Sequence, residues 1–383
     1  MPSIPSLLTA LPLLLALLGL TALAFSQMWL PIVAQAPLAA DPHALTIFAF
    51  CPAGKTPAQF AFFPWEGVNH QVCTLTNFFM HTLLSAPSGY AIGLDLACSL
   101  PAPLLALYLE SLRPGTALPL RIPLLWLFLY QNLGMAVVAP LYYACLLLLP
   151  PSPSPSRSQP RAAVPHSKVE AVAFGLLAGF ALPTAAMFAS TDHRVYAAWQ
   201  FFPLFVGTAI ALYPRLRRAA PPSASASAKD KDSLPLIRTL YLLAIAASSL
   251  AHLYVLGTAL LSPSAAPLSL PSALAALARV YLPQPLPAAH AVPQHLHTTL
   301  TNFFKWDYIF VGASTTLAGL VALGQTGRGA PVLLNPLRWL AAVVLGLALG
   351  AGAVMGHVWL LREEALGRAR EAERAQGKEA KKA

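Results

Sequence analysis

Three carboxyl groups in this chain are set among aromatic side chains or inside apolar runs, where an ionised acid costs at least about 2.5–3.5 kcal/mol at the centre of a membrane span. Asp307 stands in TNFFKWDYIFVGAS (301–314), two residues after Lys305 and amid Phe303, Phe304, Trp306, Tyr308 and Phe310. Asp95 lies in GYAIGLDLACSL (89–100) with no Lys or Arg within a helical turn, so it must be protonated or paired across helices. Glu66 follows Phe60, Phe62, Phe63 and Trp65 in FAFFPWEGVNHQ (60–71). A carboxylic acid held neutral in a water-poor cavity can donate a proton. Aromatic faces can stabilise the cation that protonation of an olefin or epoxide creates. Each acid also has a plainer reading. Asp307 and Lys305 would face water beside an interfacial aromatic belt, Asp95 would be an interhelical hydrogen bond, and Glu66 would belong to an interfacial loop, or to a lid over a cavity.

Two further segments carry candidate groups. YAAWQFFPLF (196–205) clusters Trp199, Phe201 and Phe202 around Gln200, with Pro203 able to break the helix. SSLAHLY (248–254) puts His252 four residues after Ser248, hence on one helix face, with Tyr254 off it. His252 is either a proton acceptor or a satisfied interhelical partner. His290, His295 and His297 fall in a Pro-rich stretch, with the last two only two residues apart, and the four cysteines form no C-x-x-C pair. No G-x-S-x-G, Walker loop, G-x-G-x-x-G or H-E-x-x-H occurs. No metal and no cofactor is therefore expected.

The elements that must position these groups are membrane spans. Of 383 residues, 57% are hydrophobic and 10% charged, against about 25% charged in a soluble domain. Apolar runs at 6–25, 89–109, 122–149, 169–189, 195–213, 235–261, 306–324 and 336–361 are each long enough to cross a bilayer. An all-α bundle of about eight spans, within a range of seven to nine, is expected over 1–361, followed by a charged, soluble helical tail over 362–383. The shorter stretches 72–86 and 271–283 read as re-entrant or interfacial helices. The first run is longer than a signal-peptide core and has no Lys or Arg before it, so a retained span is expected. The 150–168 and 219–233 connections, rich in Pro, Ser and Ala, read as flexible linkers.

The net charge of +10 sits mainly in the 214–231 connection and the tail, which points to anionic lipid headgroups and away from nucleic acid. Both segments favour the cytoplasm, yet three expected spans separate them, so the sequence assigns no orientation. Cys98 and Cys145 read as small core residues, and a Cys51–Cys73 disulfide is possible if the first long connection is lumenal. No repeat of 20–50 residues is visible, which disfavours many transporter folds.

WQFFPLF (199–205) and FFKWDYIFVG (303–312), with weaker support from 248–254, resemble the fungal membrane-bound meroterpenoid cyclases of the ascofuranone and macrophorin type. The resemblance implies a multi-pass membrane enzyme, expected in the endoplasmic reticulum. Its substrate would be a lipophilic, farnesylated aromatic molecule. Cyclisation would begin with protonation of a terminal epoxide or olefin and end with deprotonation. On that reading Asp307 or Asp95 is the proton donor, Glu66 a further candidate, His252 the acceptor or the partner of the donor, and Trp199, Phe202, Trp306 and Tyr308 the cation-stabilising wall. The same inventory would also suit a small-molecule transporter or a non-catalytic membrane organiser. The oligomeric state is left open.

Overall fold

The computed structural model describes residues 4–34, 51, 56–149, 163–219, 232–261, 269–285, 296–326 and 336–380, and among these every regular element is helical. α1 (Ile4–Val33) is an apolar helix whose Leu17, Ala24, Met28 and Ile32 pack into the bundle. α2 (Glu66–Ser85) is amphipathic and joins α3 (Pro87–Ser99) through a tight turn. α3 and α4 (Pro101–Ser111) together make one crossing of 25 residues. Pro87 and Pro101 each open a helix, where the missing N–H is not needed.

α7 (His166–Leu176), a wide turn over Leu177–Ala181 and α8 (Leu182–Phe188) form a further crossing. α9 (His193–Trp199) and α10 (Phe202–Ala219) meet at 59°, with the break just before Pro203 as the sequence suggested. α11 (Leu234–Leu260) and α13 (Leu296–Gly324) are long enough to span the bilayer unaided. α12 (Leu270–Tyr281), capped reciprocally by Ser269 and Ser272, is the short amphipathic helix expected near 271–283.

The all-α membrane bundle is thus what the chain forms, but two of the eight apolar runs fold back on themselves at a break. Residues 122–149 divide at Gly134 into α5 (Pro123–Leu133) and α6 (Met135–Leu148). Residues 336–361 divide at Gly350 into α14 (Pro336–Leu349) and the start of α15 (Ala351–Ala380). Both glycines have positive φ, 86° and 88°, which L side chains rarely adopt. In each case the chain doubles back. Leu120, just before α5, and Leu146 and Leu149, at the end of α6, border the same small cleft. Trp339 and Ala342 of α14 pack on Val354 and Val358 of α15. Helices of 11 and 14 residues, about 16 and 21 Å long, cannot cross a core of about 30 Å, and folding back is the outcome. Hydropathy alone does not distinguish a hairpin from a span. Among the described residues five helical segments, or six with the bent α9–α10 pair, have the length and apolarity to traverse a membrane.

Cys51 and Cys73 are joined by a disulfide, with Cys73 inside α2 and not in a loop. Cys98 and Cys145 are half-buried thiols within helices. α15 continues unbroken from the bundle to Ala380. Its Arg362 and Glu363 are only 1% exposed and meet Glu110 and Arg113 in a buried ion cluster, so burial extends past residue 361. Burial works against the Arg113 charge, yet Glu363 and Glu110 outweigh it and push the guanidinium pKa up.

Candidate active site

α13 carries the centre of the molecule on two adjoining faces. On one, Phe303, Phe304 and Asp307 line a cavity of about 220 Å³ with α1, α2 and α5. Trp29, Phe78, Phe79 and Tyr130 complete its aromatic wall. The rings interlock edge to face: Phe303 lies 5.6 Å from Trp29 and 5.0 Å from Phe78, and Phe304 lies 5.5 Å from Phe78, with Phe79 tilted against it at 5.4 Å. His70, Gln71, Thr74, Gln131 and Asn132 supply polar edges.

Asp307, 4% exposed, is the carboxyl on this wall. Its Oδ1 accepts the backbone N–H of Ala136 at 2.5 Å, at the start of α6. The first N–H groups of a helix have no partners within it and carry partial positive charge, so they suit an anionic oxygen. Gly134 makes this approach possible. A Cβ there would lie 2.6 Å from Met28 Cε, 3.3 Å from Phe303 and 3.5 Å from Asp307 Oδ1. The indole N–H of Trp29 donates to the Leu133 carbonyl at 2.8 Å, which satisfies the end of α5.

On the other face, Asp95, His252 and Tyr281 form a network through one oxygen of Asp95, whose Oδ1 has no hydrogen-bond partner among the described residues. Asp95 Oδ2 lies 2.7 Å from His252 Nδ1 and accepts the Tyr281 hydroxyl at 2.7 Å. His252 Nε2 is 3.2 Å from the Leu347 carbonyl, which can only accept, so that nitrogen carries the hydrogen. Nδ1 and Oδ2 then share a single proton, as acid and imidazole or as carboxylate and imidazolium. Ser248, on the His252 face as expected, contacts Ser99 at 3.1 Å, while Tyr254 is turned outward. Asp95 is thus paired across helices.

α12 is held in place to deliver Tyr281. Lys305 Nζ donates to the carbonyls of Arg279 and Leu282 at 2.6 and 3.0 Å, and Asn302 exchanges two hydrogen bonds with Gln284. Buried Lys305 is thereby a cap on the end of α12 and does not pair with Asp307. Tyr308 accepts the Ala351 N–H at 2.9 Å, and its ring lies 5.5 Å from Tyr281.

The three candidate acids do not converge. Asp307 lines the cavity, while Asp95 is buried in the network with His252 and Tyr281 and does not line it, and Glu66 lies at the exposed start of α2. The Glu66 carboxylate accepts the Thr56 hydroxyl and backbone N–H, which hold its pKa below the usual carboxylate range. Trp199 and Phe202 stand one layer behind the wall, 4.7 Å from Phe79 and 5.9 Å from Tyr130 respectively. Trp306 stacks on Phe310 and, like Tyr308 and His252, does not line the cavity. His290 and His295 lie outside the described residues, and His297 neighbours His81 with ring centroids 5.9 Å apart.

Sequence reading missed Trp29, Phe78, Phe79, Tyr130 and Tyr281. One signal was available: the hexapeptide TLTNFF occurs twice, at 74–79 and 299–304. Its two Phe-Phe pairs meet in the cavity wall.

The chain matches the CtvD domain over residues 13–366. It is 35% identical over 170 residues to the protein named terpene cyclase ascI of Acremonium egyptiacum, covering 40% of this chain and 42% of that relative. The matched stretch thus spans less than half the length of that relative. No solved structure matches. With a match that runs from α1 into α15, the chain belongs to the CtvD domain family, a terpene cyclase-like family of membrane proteins.

Proposed function

We propose that this protein is a membrane-bound terpene cyclase that protonates a terminal epoxide or olefin of a farnesylated aromatic substrate and closes its rings, in the endoplasmic reticulum. The observation that carries the reading is the Asp307 carboxyl on an aromatic-walled cavity inside an apolar bundle. In the first step the carboxyl proton moves to the epoxide oxygen as a C–O bond breaks, or to an olefin carbon as the π bond opens. Successive double bonds attack the resulting cation. Loss of a C–H proton, taken up in place of the one Asp307 gave so that the carboxyl is restored, ends the sequence, and the product is an isomer of the substrate with no co-reactant consumed. Phe78, Phe79, Phe303, Phe304 and Trp29 offer their faces to the cation, and the Ala136 N–H steadies the carboxylate left behind.

Trp199 and Phe202 stiffen the wall from behind in this reading. Asp95, His252 and Tyr281 position α3, α11 and α12 around α13 without touching the substrate, and Tyr308 does the same for the α14–α15 tip. Glu66 orders the edge of the site.

The test is turnover of an epoxyfarnesyl phenol by microsomes holding the protein. Cyclic product from the wild type, with loss of about 100-fold or more in Asp307→Asn at equal membrane insertion, is the expected result. Cyclisation at the parental rate by that variant would show that Asp307 is not the donor. A loss confined to Asp95→Asn would move the acid to the other face of α13.

A further inference from the structure

The two ends of the bundle differ in chemistry. At one, Glu110 and Arg113 at the end of the α3–α4 crossing meet Arg362 and Glu363 of α15. Arg238, near the start of α11, bonds Glu364 at 2.8 Å. The end of α6 borders the same cleft as Arg113. α13 runs alongside α15 in the same direction, Gly312 against Ala351 and Gly319 against Trp359, and so ends there too. Phe188, at the end of α8, contacts Tyr90 at the opposite end of the α3–α4 crossing, which puts the start of α7 at the Glu110 end. There Glu170 pairs with Arg217 of α10 at 2.9 Å.

The segments joined to this end carry, by sequence, nearly all of the 24 Lys and Arg. Lys55, Arg194 and Arg279 belong to segments of the other end, where Asp41, Glu66 and Asp192 balance them. Lys305 is buried in the interior. That other end holds the Cys51–Cys73 disulfide, with Phe60 packed on both cysteines and 5.5 Å from His193. It also holds the Asp307 cavity, whose α2 residues Thr74 and Leu75 directly follow Cys73.

We infer that the basic end is the cytosolic face, set against anionic lipid headgroups, and that the disulfide and the cavity lie toward the oxidising, lumenal or extracellular, side. Two unrelated rules agree on this. Lys and Arg flanking spans are retained in the cytosol. Disulfides form and persist on the opposite side. Folding back of 336–361 removes the orientation conflict seen in the sequence, because among the described residues only α11 and α13 cross between the basic 214–231 connection and the basic tail. Both hairpins enter from the cytosolic end, and their tips meet α13 at Asp307 and Tyr308. A cyclase placed this way works on substrate held toward the lumenal half of the bilayer, while the orientation itself does not rest on the catalytic reading.

The full chain in sealed microsomes, cytosolic side out, tests this without an activity assay. In a Cys98→Ala, Cys145→Ala background, Ala375→Cys in the α15 tail and Thr191→Cys before α9 are treated with a membrane-impermeant maleimide. Labelling of Ala375→Cys at least tenfold faster than Thr191→Cys, with the difference abolished by detergent, is the expected result. Equal rates in sealed vesicles, or the reverse order, would overturn the orientation. Should either cysteine variant fail to accumulate, Ala44→Asn decides, since it makes a glycosylation acceptor with Leu45 and Thr46. Addition of one glycan supports the assignment, and its absence from an inserted protein refutes it.

Discussion

The two hairpin tips that meet α13 are built from the same backbone device and surrounded differently. At each, a positive-φ glycine reverses the chain, and the N–H of Ala136 or Ala351 at the start of the returning helix is given to Asp307 or its neighbour Tyr308. Gly134 is itself closely packed against Met28 and Phe303, but it borders the aromatic-walled cavity on which Asp307 lies. At Gly350 His252 fills the space and is itself bound to Asp95, Tyr281 and Leu347. A buried acid with its side-chain partners in place is committed to structure. One held mainly by backbone N–H groups, beside a cavity, is the acid proposed here to give up its proton.

The largest expected effect tests that contrast. Asp307→Asn should lose about 100-fold or more in cyclisation with little change in thermal stability, since an amide oxygen can still accept from Ala136. Asp95→Asn should do the opposite. It leaves a buried network mispaired, at a cost of about 1–3 kcal/mol read as a lower Tm of the detergent-solubilised protein, with activity of the folded fraction reduced much less. Equal losses of activity in the two variants would dissolve the distinction between the faces.

Glycine replacement separates the tips next. Either Gly→Ala change forces an alanine into positive φ, at about 1–3 kcal/mol. At Gly350 the new Cβ would also lie 2.9 Å from the Cβ of His252, which cannot move without breaking its bond to Asp95. At Gly134 the first obstacle is the flexible end of Met28, 2.6 Å away. Gly350→Ala should therefore lower Tm more, and Gly134→Ala should lower activity more through displacement of Met28 and Asp307. Comparing melting and turnover of the pair checks both halves.

The helical character, the apolar runs and the isolation of Asp307 among aromatic residues were legible in the sequence, because hydropathy and aromatic clustering are local properties. The pairing of Ser248 and His252 on one face was legible for the same reason, as it needs only the helical repeat. What was not legible depends on contacts between distant segments. Tyr130 lines the cavity beside the turn at Gly134, where Trp29 of α1 meets the end of α5, and an apolar stretch broken at Gly134 reads the same whether it crosses or returns. Tyr281 enters the network through the end of α12, fixed by Lys305 and Asn302, two polar residues whose partners are backbone atoms and so leave no trace in side-chain pattern.

Tyr281→Phe probes the closed face more gently. The phenyl ring keeps its packing on His252 and Tyr308, and only the hydroxyl that donates to Asp95 is lost. A decrease of about 1–2 kcal/mol in stability is expected, visible as a Tm shift of a few degrees, with the product pattern unchanged. A new product distribution at normal Tm would instead put Tyr281 in contact with the reacting chain.

The smallest effect is expected at Glu66, outside both faces. Its folded pKa is depressed by the Thr56 hydroxyl and N–H, so it adds stability above its unfolded pKa, and that contribution is lost as pH falls through the lower folded value. The group is exposed, and solvent screens what it adds. Glu66→Gln should therefore leave turnover at neutral pH unchanged and flatten only slightly the acid limb of a Tm-against-pH curve. If Glu66→Gln instead abolished cyclisation at neutral pH, the start of α2 would have to reach the substrate, and the site would extend beyond the Asp307 cavity to the exposed edge of the bundle.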